Sequence, residues 1–110
     1  MMPPLYEMAA HLLLAETPFS RNRNHAAYDD PRFKSAIALY RRLRALVSDL
    51  ERARVDGSRI AVVEETHAGR PSVRIDFTAP RARRSCWLEK PAWEVLMLHP
   101  TARAALRKAA

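Results

Sequence analysis

Arg81, Arg83, Arg84 and Trp87 lie in one short stretch, the grouping in this chain closest to a binding chemistry. Guanidinium groups attract phosphate and an indole beside them stacks on a base, so the set suits a nucleic-acid strand. The simpler reading is a solvated basic turn followed by a tryptophan that anchors a core. Arg41, Arg42 and Arg44 pose the same choice. On a helix they would enter a major groove or lie along a phosphate backbone, or they form a solvated face balanced by Asp49 and Glu51.

The other reactive side chains are more dispersed. His11, His25, His67 and His99 show no metal-ligand spacing such as i, i+4 on one helix. Glu65 and His67 would share a face if they sit on a strand, which allows an acid–base or metal pair, although a polar hairpin tip explains them more simply. His25, near Asp29 and Asp30, fits a loop and helix cap. Arg84 beside Cys86 allows a nucleophilic thiol, yet a small residue packed in a core accounts for that cysteine as well. Gly57 and Gly69 are the only glycines, so no glycine-rich phosphate loop can be built. There is no Gly-x-Ser-x-Gly elbow and no carboxylate constellation of a two-metal site. The expectation is a binding protein without catalytic residues, metal or other cofactor.

The elements that position these residues are legible in the apolar spacing. Ser72 to Thr78 alternates apolar and polar, Arg59 to Thr66 precedes it, and Ala68-Gly69-Arg70-Pro71 lies between. Residues 59–78 therefore read as a β-hairpin with one buried face. Ser85 to Glu89 reads as a third strand completing an antiparallel meander. Ahead of the hairpin, Pro3-Pro4 opens a helix with Leu5, Met8, Ala9, Leu12 and Leu13 on one stripe, ended at Thr17-Pro18. Residues 18–30 read as a long polar loop, mobile or functional. Asp30-Pro31 starts a long helix to about Arg54, whose stripe is Phe33, Ile37, Tyr40, Leu43, Val47 and Leu50, with Gly57 as its stop. Pro91 opens a further helix through the dense segment Trp93 to Leu98. Pro100 breaks it, and a short terminal helix follows from Thr101 or Ala102.

This pattern predicts one α+β domain over residues 1–110, order α-α-β-β-β-α, with helices covering one face of a small three-stranded antiparallel sheet. Its inward set is Leu12, Leu13, Ile37, Tyr40, Leu43, Val47, Leu50, Val62, Val73, Ile75, Phe77, Leu88, Val95, Leu96 and Leu98. A helix-turn-helix or winged variant is excluded by the length of the 18–30 connection.

At 110 residues and 48% apolar, the chain has material for one modest core. Its formal charge of +7, from 19 basic and 12 acidic residues, favours phosphates, acidic proteins or anionic lipid as partners. Because the cations are nearly all arginine in an alanine-rich chain, a codon bias toward GC is a second source of that charge. A single cysteine, no basic leader and no apolar run of bilayer length point to the cytoplasm. Two functional expectations follow. The first is a nucleic-acid-binding accessory protein, with DNA or RNA held by Arg41, Arg44, Arg81, Arg83, Arg84 and Trp87. The second is a protein-interaction or regulatory module, homodimeric or with an acidic partner, motivated by the charge and by Trp93 to Leu98.

Overall fold

The alternating stretch becomes the middle of a three-stranded sheet. The computed structural model describes residues 4–15 and 31–107, and the loop expected over 18–30 lies outside the described residues, as does the Asp30 cap. The described elements are α1 (Pro4–Ala15), α2 (Pro31–Asp56), β1 (Arg59–His67), β2 (Arg70–Ala79), β3 (Ala82–Glu89), α3 (Lys90–Leu96) and α4 (Pro100–Arg107). The strands form an antiparallel meander in the order β1-β2-β3.

Two turns set its register. Gly57 adopts φ +70°, and the Ser58 N–H donates to the Ala53 carbonyl at 3.0 Å, a C-terminal cap that releases the chain from α2 into β1. Between β1 and β2 only Ala68 and Gly69 turn, with φ 53° and 76°. Two successive positive φ values match the right-handed twist of a two-residue hairpin and align His67 with Arg70. The turn is thus shorter than the sequence suggests, because Arg70 and Pro71 join the strand. Pro71, which has no N–H, sits where β2 has β1 alone as its neighbour.

β2 divides its side chains strictly. Val73, Ile75 and Phe77 are buried beneath the helices, flanked by Ile60 and Val62 of β1 and by Cys86 and Leu88 of β3. Against them α2 presents Leu43, Leu46, Val47 and Leu50 at helical spacing. Leu13 of α1, Val95 and Leu96 of α3 and Leu106 of α4 complete this core, all fully buried. At the start of α4 the buried His99 accepts the Thr101 N–H on Nδ1 at 3.2 Å.

Three expectations need correction. The third strand begins at Ala82 rather than near Ser85, because Arg83 and Arg84 pair with Thr78 and Phe77. Leu98 is 43% exposed, not inward. α3 ends at Leu96, and the Leu98 N–H turns back onto the Val95 carbonyl at 3.1 Å, carrying its side chain off the buried stripe. Tyr40 and Val62 are half-buried at the core margin. The Phe33 side chain lies outside the described residues.

Ile75 is fully buried at the junction of sheet and helices. Ile75→Ala should cost about 2–5 kcal/mol in a urea melt. Val63→Ala, on the opposite face of the neighbouring strand and 37% exposed, should fall well below that range.

Candidate functional site

The sheet face turned away from the helices is built of five cross-strand rows. In order they are Arg59–Thr78–Arg83, Ala61–Asp76–Ser85, Val63–Arg74–Trp87, Glu65–Ser72–Glu89 and His67–Arg70. They share a face because successive side chains on a strand alternate sides.

Arg74 stands at the centre of this face. Its Nη1 donates to Glu65 Oε2 at 3.0 Å, and its Nε lies 3.1 Å from the Asp76 carboxylate. Ser85 donates to Asp76 Oδ1 at 2.5 Å. The Asp76 carboxyl is held below its ordinary pKa first by the Ser85 hydrogen bond, then by Arg74 and the more distant Arg83, while desolvation opposes them. Asp76 is shielded by these neighbouring side chains rather than by depth in the fold.

Trp87 reaches across the central strand. Its Nε1 donates to Glu65 Oε1, and its ring stacks on His67 with centroids 4.7 Å apart and planes at 17°. The residue of β2 lying between these partners is Ser72, so the indole lies over it. Ser72 is accordingly 5% exposed, with its hydroxyl donating to the Arg70 carbonyl at 3.0 Å. His67 remains exposed, so the ring face turned from Trp87 is open to solvent.

Beyond the stack, Arg70 pairs with Glu89 at 3.0 Å. The Tyr6 hydroxyl donates to the same carboxylate at 3.3 Å. Burial, then the Glu89 charge and this hydrogen bond, raise the Tyr6 pKa. Arg42 closes the neighbouring edge of β3 by donating to the Trp87 carbonyl.

The six residues singled out from sequence do not share one surface. Arg83 and Trp87 lie on the open face, and Arg81 is exposed at the turn leading to it. Arg84 points to the helix side, where it pairs with Asp49 at 2.8 Å and lies 5.0 Å above the Phe77 ring. Arg41 is exposed on α2, behind the sheet. Arg44 is half-buried there, with Nη1 buried and without a hydrogen-bond partner among the described residues. Trp87 is neither a core anchor nor a free ring, since it forms the floor of a polar network.

Sequence reasoning missed Arg59, which stands across Thr78 from Arg83, and Arg74, which organises the carboxylates. Counting outward from the two-residue turn would have found both, because it fixes every cross-strand partner. Among the described residues none of Arg59, Arg81 and Arg83 is in an ion pair. Beside this basic end a groove of about 260 Å³ opens between α2 and the sheet, lined by Arg52 and Arg84 together with Asp49, Asp56 and Ser58.

The face does not bring its serine to its histidine. Ser85 is opposite Asp76 and His67 opposite Arg70, so the two are separated by about 20 Å along β2. Glu65 and His67 share a face, as their spacing suggests, but both are engaged with Trp87. Among the described residues no group of three or more His, Cys, Asp or Glu is placed to hold a metal, and no helix is long and apolar enough to cross a membrane.

Ser85→Ala removes the largest influence on Asp76 and should raise its pKa toward the ordinary carboxylate value, read by carboxyl-carbon NMR titration. The depressed folded-state pKa makes ionised Asp76 stabilising above its unfolded pKa, and that contribution is lost as pH falls through the folded value. In the variant the loss should begin at higher pH. An unchanged Asp76 titration would contradict this assignment. Among known proteins, no family model matches this chain, and no match is found among curated proteins or solved structures.

Proposed function

We propose that this chain is a non-catalytic nucleic-acid-binding accessory protein that grips phosphate through the basic end of its open sheet face. The observation that carries this reading is the convergence of Arg59, Arg81 and Arg83 on one end of a face that also holds Arg74 and Trp87. Three guanidinium groups with no ion-pair carboxylate among the described residues attract a polyanion, whereas the paired Arg70, Arg74 and Arg84 act mainly within the fold. The Thr78 hydroxyl, exposed between Arg59 and Arg83, adds a neutral donor for a phosphate oxygen.

Arg41 and Arg44 are not part of this grip, because α2 lies behind the sheet. Nor does the dense segment Trp93 to Leu98 favour a protein partner. Val95 and Leu96 are fully buried, and Trp93 and Met97 pack on the core, leaving Leu98 as its exposed apolar residue.

Neutralising three phosphates releases their counterions, so log affinity should fall against log salt with a slope of about −2.1 to −2.7. Between about 50 and 200 mM salt that is roughly a 20- to 40-fold loss. The combined variant Arg59→Ala, Arg81→Ala, Arg83→Ala should weaken binding and flatten the slope, measured by fluorescence anisotropy with DNA and RNA pools. Binding without a salt slope, or a variant that keeps the full slope, overturns the proposal. Absence of binding to either pool, with a dimer in light scattering, replaces it with self-association.

A further inference from the structure

We propose that the occupant of the open face is single-stranded, with an unpaired base stacked on His67 above Trp87. The inference rests on the phosphate-binding reading and adds which nucleic acid is taken.

The His67–Trp87 stack is a prepared surface. The indole is held at its edge by Glu65, while His67 covers one part of it in near-parallel contact. The exposed imidazole, with one face against Trp87, therefore offers its second face to solvent. Every base has a flat π-face that stacks on such a ring, but in a duplex those faces are already stacked on neighbouring pairs. Only an unpaired base can use the site at no unstacking cost.

Charge and distance connect this ring to the basic end. From Arg59 to His67 along β1 is about 26 Å, room for a strand of several nucleotides. The carboxylates along that path are paired with arginine, Glu65 and Asp76 sharing Arg74 while Glu89 takes Arg70. A strand anchored by phosphate at Arg59, Arg81 and Arg83 thus crosses a face on which each of three carboxylates is already held by an arginine, and ends on an aromatic ring. Sequence-tolerant single-strand binding combines the same two components, a cationic track and a stacking platform.

The test uses the full chain carrying Trp93→Phe, so that Trp87 alone reports. A short oligo-dT or oligo-U strand should quench its emission and bind more tightly than a DNA duplex of the same length. His67→Ala should weaken strand binding by about 5- to 150-fold while keeping the salt slope, and His67→Phe, which retains a stacking ring, should bind like the parent. Equal affinity for strand and duplex, or His67→Ala binding the strand like the parent, overturns this inference. If salt-dependent binding persists in either case, the phosphate grip stands without the base site. No binding of strand or duplex overturns both.

Discussion

The pleat of β2 is the constraint on which the rest depends. With a neighbour on each side, the strand sends Val73, Ile75 and Phe77 toward the helices and Ser72, Arg74 and Asp76 the other way. A one-residue slip would exchange these sets, placing a guanidinium and a carboxylate in the core and three apolar side chains in water. The hydrophobic penalty therefore holds the register, and the register in turn aligns Arg59 with Arg83 and brings Trp87 over Ser72. The layout of the open face is a consequence of core packing on its reverse side.

That face is stabilised by mutual satisfaction of charges. Arg74 serves two carboxylates, Ser85 adds a donor to one of them, and the Trp87 indole uses a remaining oxygen of the other. Each of these ion pairs is part-exposed, where isolated pairs contribute about 0–1 kcal/mol. Their connection matters more than their sum, because it fixes the orientation of one tryptophan ring. The two outer strands are also treated differently. β3 is tied to the helices through Arg42 and Tyr6, whereas β1 carries Val63 into partial exposure beside Arg74.

Much of the architecture was legible in single residues. The run Val73, Ile75, Phe77 marked a half-buried strand, Leu43, Val47 and Leu50 marked the buried stripe of a helix, and Gly57 marked its end. The errors sit where local pattern stops deciding. Arg83 and Arg84 resemble a polar turn, and only their pairing with Thr78 and Phe77 makes them strand. Leu98 belongs to an apolar run, but a backbone bond from its N–H to Val95 ends the helix before it. Arg84 and Trp87 lie close in sequence, yet at a spacing of three on a strand they face opposite sides.

The sequence by itself determined the order of elements and the apolar side of each, because periods of two and of three to four residues are local properties of the backbone. Only the tertiary structure decided which charges meet. Residues that meet across the sheet are distant in sequence, 22 positions apart for Glu65 and Trp87, and their alignment rests on where each turn begins and ends. Composition supplied an excess of arginine. The sheet register and the helix cover sorted that excess, tying Arg70, Arg74 and Arg84 to carboxylates and leaving Arg59, Arg81 and Arg83 at one end of an open face.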